Sequence, residues 1–191
     1  MNKFLIIVLS VYLPAAALCF LATPAMAKNK ADIVDIEVTK KSGNLEVSFS
    51  IENCFTPEME EAIQSGVPAT FRIHLILEKT GFHLFGSKLL DNTLEHSIRY
   101  DRLKNQYMVQ IPEHIESMRI TDDLDEAKCW MSTIERLPVI PLWRLEKGRT
   151  YQLNVKAELS KFQLPFFLRY VLFFVSLWDF ETSWQNVTFS S

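Results

Sequence analysis

Glycine, proline and cysteine are all scarce in this chain, at 5, 8 and 3 of 191 residues. So few glycines and prolines exclude a collagen-like, linker-like or low-complexity protein. The cysteines form no CxxC pair and have no companions at zinc-ligand spacing, so neither a dithiol redox motif nor a zinc site is expected. There is no HExxH, no histidine pair at i, i+4, no glycine-rich phosphate loop and no Gly-x-Ser-x-Gly elbow, since Gly86-Ser87-Lys88 does not provide one. Asp122, Asp123 and Asp125 lack the glycine and distal glutamate of a calcium loop. His74, His83, His96 and His114 read as surface or hydrogen-bonded structural residues. His74 and His96 both fall in strands and could meet across a sheet, although His74 takes a polar-face position. A basic cluster is also missing: 20 Lys and Arg stand against 23 Asp and Glu, which argues against nucleic acid as a partner. No residue presents itself as catalytic, and no cofactor or metal is expected.

Charge is nearly absent from the first 27 residues, where Lys3 stands alone. Phe4 to Leu21 is almost continuously apolar, and Ala25-Met26-Ala27 follows with small residues where a signal peptidase reads. Residues 1–27 are therefore expected to be a cleaved secretory signal peptide. The alternative is an uncleaved anchor, since about 18 apolar residues almost span a bilayer. Pro14 and the Ala-Met-Ala site favour cleavage. Leu18 before Cys19 is not the small residue that lipidation requires. Loss of Lys3 takes the formal net charge from −3 to −4. Residues 28–191 are expected to form one domain, burying ~70% of the unfolded surface. Asn186-Val187-Thr188 spells a glycosylation sequon, without meaning in a bacterial host.

Two cysteines then remain, Cys54 and Cys129. In an oxidising compartment they can close a disulfide, stabilising by roughly 4–5 kcal/mol through its long loop. Equally, they can be two buried free thiols.

Strand patterns dominate what is present. Ile33, Val34, Ile36 and Val38 with Asp35 and Glu37, then Leu45, Val47, Phe49 and Ile51 with intervening polar residues, predict a hairpin turned at Ser42-Gly43-Asn44. Thr56-Pro57 and the glutamates behind it predict a short helix ended by Gly66. Alternation predicts strands at 71–78, 94–100, 107–111, 151–159 and 184–189. Thr121, an acidic turn and Ala127, Trp130, Met131, Ile134 and Leu137 predict a second helix with Thr121 as its N-cap, ended by Pro138. About seven strands joined by short turns, with two or three helices, predict an immunoglobulin-like antiparallel β-sandwich. An open antiparallel sheet packed on helices is the alternative.

One segment departs from this pattern. Leu164 to Trp178 reads LPFFLRYVLFFVSLW, with Arg169 as its one charge. At about 15 residues it is too short to span a bilayer as a helix. It is either a core element or an exposed aromatic surface. In the second reading Phe166, Phe167, Arg169, Tyr170, Phe173, Phe174 and Trp178 are the candidate interaction residues. They would contact an envelope membrane protein, an apolar ligand or a membrane surface, with only Lys161 and Arg169 as nearby cations.

The order ADIVDIEV, LEVSFSIENCFTPEMEEAIQSGVPATFRIHLIL, HSIRYDRLKNQYMV, GRTYQLNVKAELSKFQLP and WDFETSW resembles the exported bacterial family called domain of unknown function 4390 (DUF4390), over about residues 31 to 189. The resemblance implies a Gram-negative periplasmic or envelope setting. It carries no catalytic residues. Some relatives appear beside sensor kinases of the nitrogen-regulation type, which implies an accessory role in envelope sensing. Three functions follow in order of expectation: a non-enzymatic periplasmic binding or interaction module, a carrier or sensor of an apolar ligand, and an envelope hydrolase.

Overall fold

The computed structural model describes residues 30–81, 87–160 and 180–191. The chain is mainly β, with two antiparallel sheets and two α-helices among the described residues. The first sheet holds β1 (Asp32–Lys41), β2 (Asn44–Glu52) and β7 (Thr133–Pro141) in the order β1-β2-β7. The second holds β3 (Ala69–Lys79), β4 (Ser87–Asp101), β5 (Gln106–Gln110), β6 (Met118–Thr121), β8 (Thr150–Leu159) and β9 (Gln185–Ser190), in the order β6-β5-β4-β3-β8-β9. Leu45, Val47, Phe49 and Ile51 from one sheet and Phe71, Ile73, Leu75, Leu77, Leu153 and Val155 from the other join a single core, giving the expected sandwich.

The period-two sequences behave as strands because alternation buries one face. In β3 the alternation buries Phe71, Ile73, Leu75 and Leu77 and leaves Arg72 exposed. The β1–β2 turn uses Ser42 (φ 52°) and Gly43 (φ 79°), the two left-handed residues that a two-residue hairpin needs. Helix α1 (Pro57–Gln64) starts as expected, with Thr56 Oγ1 accepting from Met59 N at 3.2 Å and proline in the first turn.

The second helix departs from expectation at both ends. Helix α2 spans Leu124–Ser132, and its N-cap is Asp123, whose carboxylate accepts from the Asp125 and Glu126 amides. Thr121 instead ends strand β6. Ile134 and Leu137 belong not to the helix but to β7, which pairs with β2. Two register shifts in that pairing bury Ile134, Leu137 and Ile140, every third residue. Bulges thus gave a strand the spacing of a helix. Pro138 and Pro141 are tolerated because β7 is an edge strand. The described chain accordingly has two strands more than the alternation predicts, β6 and β7.

Candidate functional site

The candidate surface residues Phe166, Phe167, Arg169, Tyr170, Phe173, Phe174 and Trp178 lie outside the described residues, as does His83. The residues that bracket this segment are hydrogen-bonded to one another and to β3. Leu159 N donates to Phe180 O at 3.0 Å, and Ser160 N donates to Thr70 O at 2.7 Å. Thr182 is tied to Ala157 twice: its amide donates to Ala157 O and its hydroxyl accepts from Ala157 N, each at 2.9 Å. Phe180 is buried and meets Phe71 edge-on with ring centroids 4.8 Å apart. The chain therefore leaves β8 and returns to it at the same point. Beyond that point β8 and β9 pair from Val155↔Gln185 to Thr150↔Ser190.

Next to this point the outer face of the sheet carries Trp184, which is 45% exposed. Lys156 Nζ lies 5.7 Å from the Trp184 ring centroid and forms an ion pair with Glu181 at 2.5 Å. His74 lies on the same face, with Nδ1 3.1 Å from Thr93 Oγ1 and Nε2 3.4 Å from Glu158. The charges around Trp184 are thus neutralised by one another.

His74 and His96 do not meet. His74 pairs in register with Thr93 on the outer face, whereas His96 sits opposite Phe71 and is wholly buried. Its Nδ1 is 3.0 Å from Met131 O and its Nε2 is 2.5 Å from Glu113 Oε1. Nδ1 thus faces a carbonyl acceptor, and one hydrogen lies between Nε2 and Glu113 Oε1. Burial works to raise the Glu113 pKa, but the hydrogen bond and charge of His96 outweigh it and hold the carboxyl below its ordinary value of 4.5. Glu113 Oε2 is buried with no hydrogen-bond partner among the described residues. The pair pins the Pro112–Ser117 loop to β4 and α2. Sequence reasoning missed it, although the signal was there: His96 occupies an apolar-face position among Leu94, Ile98 and Tyr100.

The loop also places His114 on a polar cleft of about 300 Å3, with Lys41, Ser42, Glu46, Glu135 and Arg136. Arg136 adopts φ 48° in the β7 bulge, where its amide donates to Ser48 Oγ at 3.0 Å. Ser42 and His114 share the cleft, and no hydrogen bond joins them among the described residues. No group of three or more His, Cys, Asp or Glu is placed to hold a metal among the described residues.

The disulfide alternative is overturned. Cys54 and Cys129 are both free, one buried and the other exposed. Cys54 Sγ donates to Ile51 O at 3.3 Å below the end of β2, whereas Cys129 faces outward from α2, 3.9 Å from Thr133 Oγ1. Burial pushes the Cys54 thiol up to about 12.

Comparison with known proteins adds one finding. A family model described as "Domain of unknown function (DUF4390)" matches residues 28–188. No curated protein matches, and no solved structure matches.

Proposed function

The chain belongs to the domain of unknown function (DUF4390) family, and on that premise we propose that it is an exported, non-enzymatic interaction module of the bacterial envelope. Residues 1–27 direct export and are removed after Ala27. The domain then engages an envelope membrane protein, such as a membrane sensor kinase, through Phe166, Phe167, Arg169, Tyr170, Phe173, Phe174 and Trp178.

The observation that carries this reading is the hydrogen bond from Leu159 to Phe180. It brings the chain together on either side of residues 161–179, and β8 and β9 pair directly beyond it. An aromatic run inserted between strands that are already joined supports the reading of a partner-binding segment. Trp184 beside the closure extends the same surface, in a setting where aromatic residues dominate binding energy.

The test is a photo-crosslinking residue at position 173 in intact cells of the native host. The expected result is an adduct with a specific membrane protein. Adducts only within the chain would make the run a core element and overturn the reading, while lipid adducts would favour the carrier alternative. Replacement of residues 161–179 by a short Gly-Ser link should leave a folded domain that no longer forms the adduct. N-terminal sequencing of periplasmic protein should begin at Lys28.

A further inference from the structure

Among the described residues four strands form the edges of the two sheets: β1, β7, β6 and β9. An edge strand offers unpaired backbone N–H and C=O groups, and proteins protect such edges with bulges, proline or charge. Three of these edges are protected. Strand β1 has a bulge between Val34 and Glu37, with Asp35 at φ 54° and both acidic residues exposed. Strand β7 carries two register shifts, Pro138 and Pro141. Strand β9 exposes Asn186, Thr188 and Ser190, and Lys40 Nζ donates to Ser190 O at 2.7 Å.

Strand β6 has neither a bulge nor a proline, and its one charge, Arg119, is turned over the Trp130 ring, 5.5 Å from its centroid. Its pairing with β5 runs from Tyr107↔Thr121 to Gln110↔Met118 without a shift. It contains neither proline nor lysine, and the residues it exposes are Met118 (55%) and Ile120 (53%), with Ile115 fully exposed in the preceding loop. The loop itself is held by the buried His96–Glu113 pair, so the edge is presented from a fixed base. Glu116 lies two residues before Met118 and Asp122 two residues after Ile120. Both are exposed and neither makes an ion pair among the described residues. The exposed apolar pair Met118 and Ile120 is thus flanked in the adjoining loops by an exposed acidic residue at each end.

We infer that β6 is a strand-addition site that takes an extended segment of another polypeptide, with two alternating apolar residues bracketed by basic ones. Backbone pairing supplies affinity, and the alternate side chains supply selection. The basic ends complement Glu116 and Asp122 and make the encounter sensitive to salt. Strand β6 lies four strand positions from β8, about 19 Å at ~4.8 Å per step.

The test uses residues 28–191 and the peptide acetyl-Lys-Thr-Val-Thr-Val-Thr-Lys-amide, followed by NMR titration. The expected result is saturable binding with shifts concentrated at Met118–Thr121, weakened at least about tenfold by Ile120→Lys, and lost when glutamate replaces both lysines. Met118→Thr, which keeps strand propensity, should weaken binding less and guards against a folding defect in Ile120→Lys, with circular dichroism checking both. Three results would overturn the inference: no saturable binding at millimolar peptide, binding unchanged in both variants, or a dimer of the unliganded protein that Ile120→Lys dissociates. The last would make a second copy the occupant.

Discussion

His96 Nε2 lies 2.5 Å from Glu113 Oε1, and this histidine side chain is wholly inaccessible to solvent. The pair joins the loop after β5 to the sandwich. A buried charge left without its partner is costly, whereas replacing both members by apolar groups is often neutral or stabilising.

Glu113→Ala is therefore expected to destabilise the domain by about 3–5 kcal/mol, because it leaves the buried His96 ring without its partner. Urea unfolding of the single variant and of the double variant His96→Leu/Glu113→Leu checks this. The double variant should recover much of the loss. A double variant as unstable as the single one would show that the loop depends on the pair's hydrogen bonds, including that to Met131 O, rather than on charge compensation.

The same pair sets an acid limit. The Glu113 pKa is lower folded than unfolded, so its contribution is fully present above about 4.5 and is lost as pH falls through the lower folded value. Stability measured against pH should drop more steeply below 4.5 in the natural protein than in Glu113→Gln. Parallel curves would remove Glu113 as the cause.

The two thiols should differ in reactivity. In protein beginning at Lys28, a thiol reagent at neutral pH is expected to label Cys129 at once and Cys54 only after unfolding, because Cys54 is buried and its pKa is pushed up to about 12. Denatured, unreduced protein should show both thiols. Finding none would restore the disulfide.

Phe71 connects the core to the closure of residues 161–179, touching Phe55 at 5.1 Å and Phe180 at 4.8 Å between ring centroids. Phe71→Ala is expected to cost about 3–5 kcal/mol. Hydrogen exchange should then quicken at Leu159 and Thr182, whose amides hold the closure. Unchanged exchange there would separate Phe180 packing from the closure.

Strong alternation made β2, β3 and β8 legible, since Val47, Ile73 and Val155 each point inward at period two. Helix α1 was legible from Thr56 and Pro57. Alternation failed for β7, where bulges put Ile134, Leu137 and Ile140 on the core face at a spacing of three. It also missed β6, whose four residues are too few to show a period.

Local chemistry thus determined which stretches are extended, where α1 starts and that the strands bury one face, because these depend on residues near one another in the chain. Tertiary structure alone decided three things. It separated Cys54 from Cys129, brought Glu113 to His96 from the loop beyond β5, and left β6 at an open edge. Each depends on register and strand order, which arise from contacts between distant segments and leave no periodic trace in the sequence.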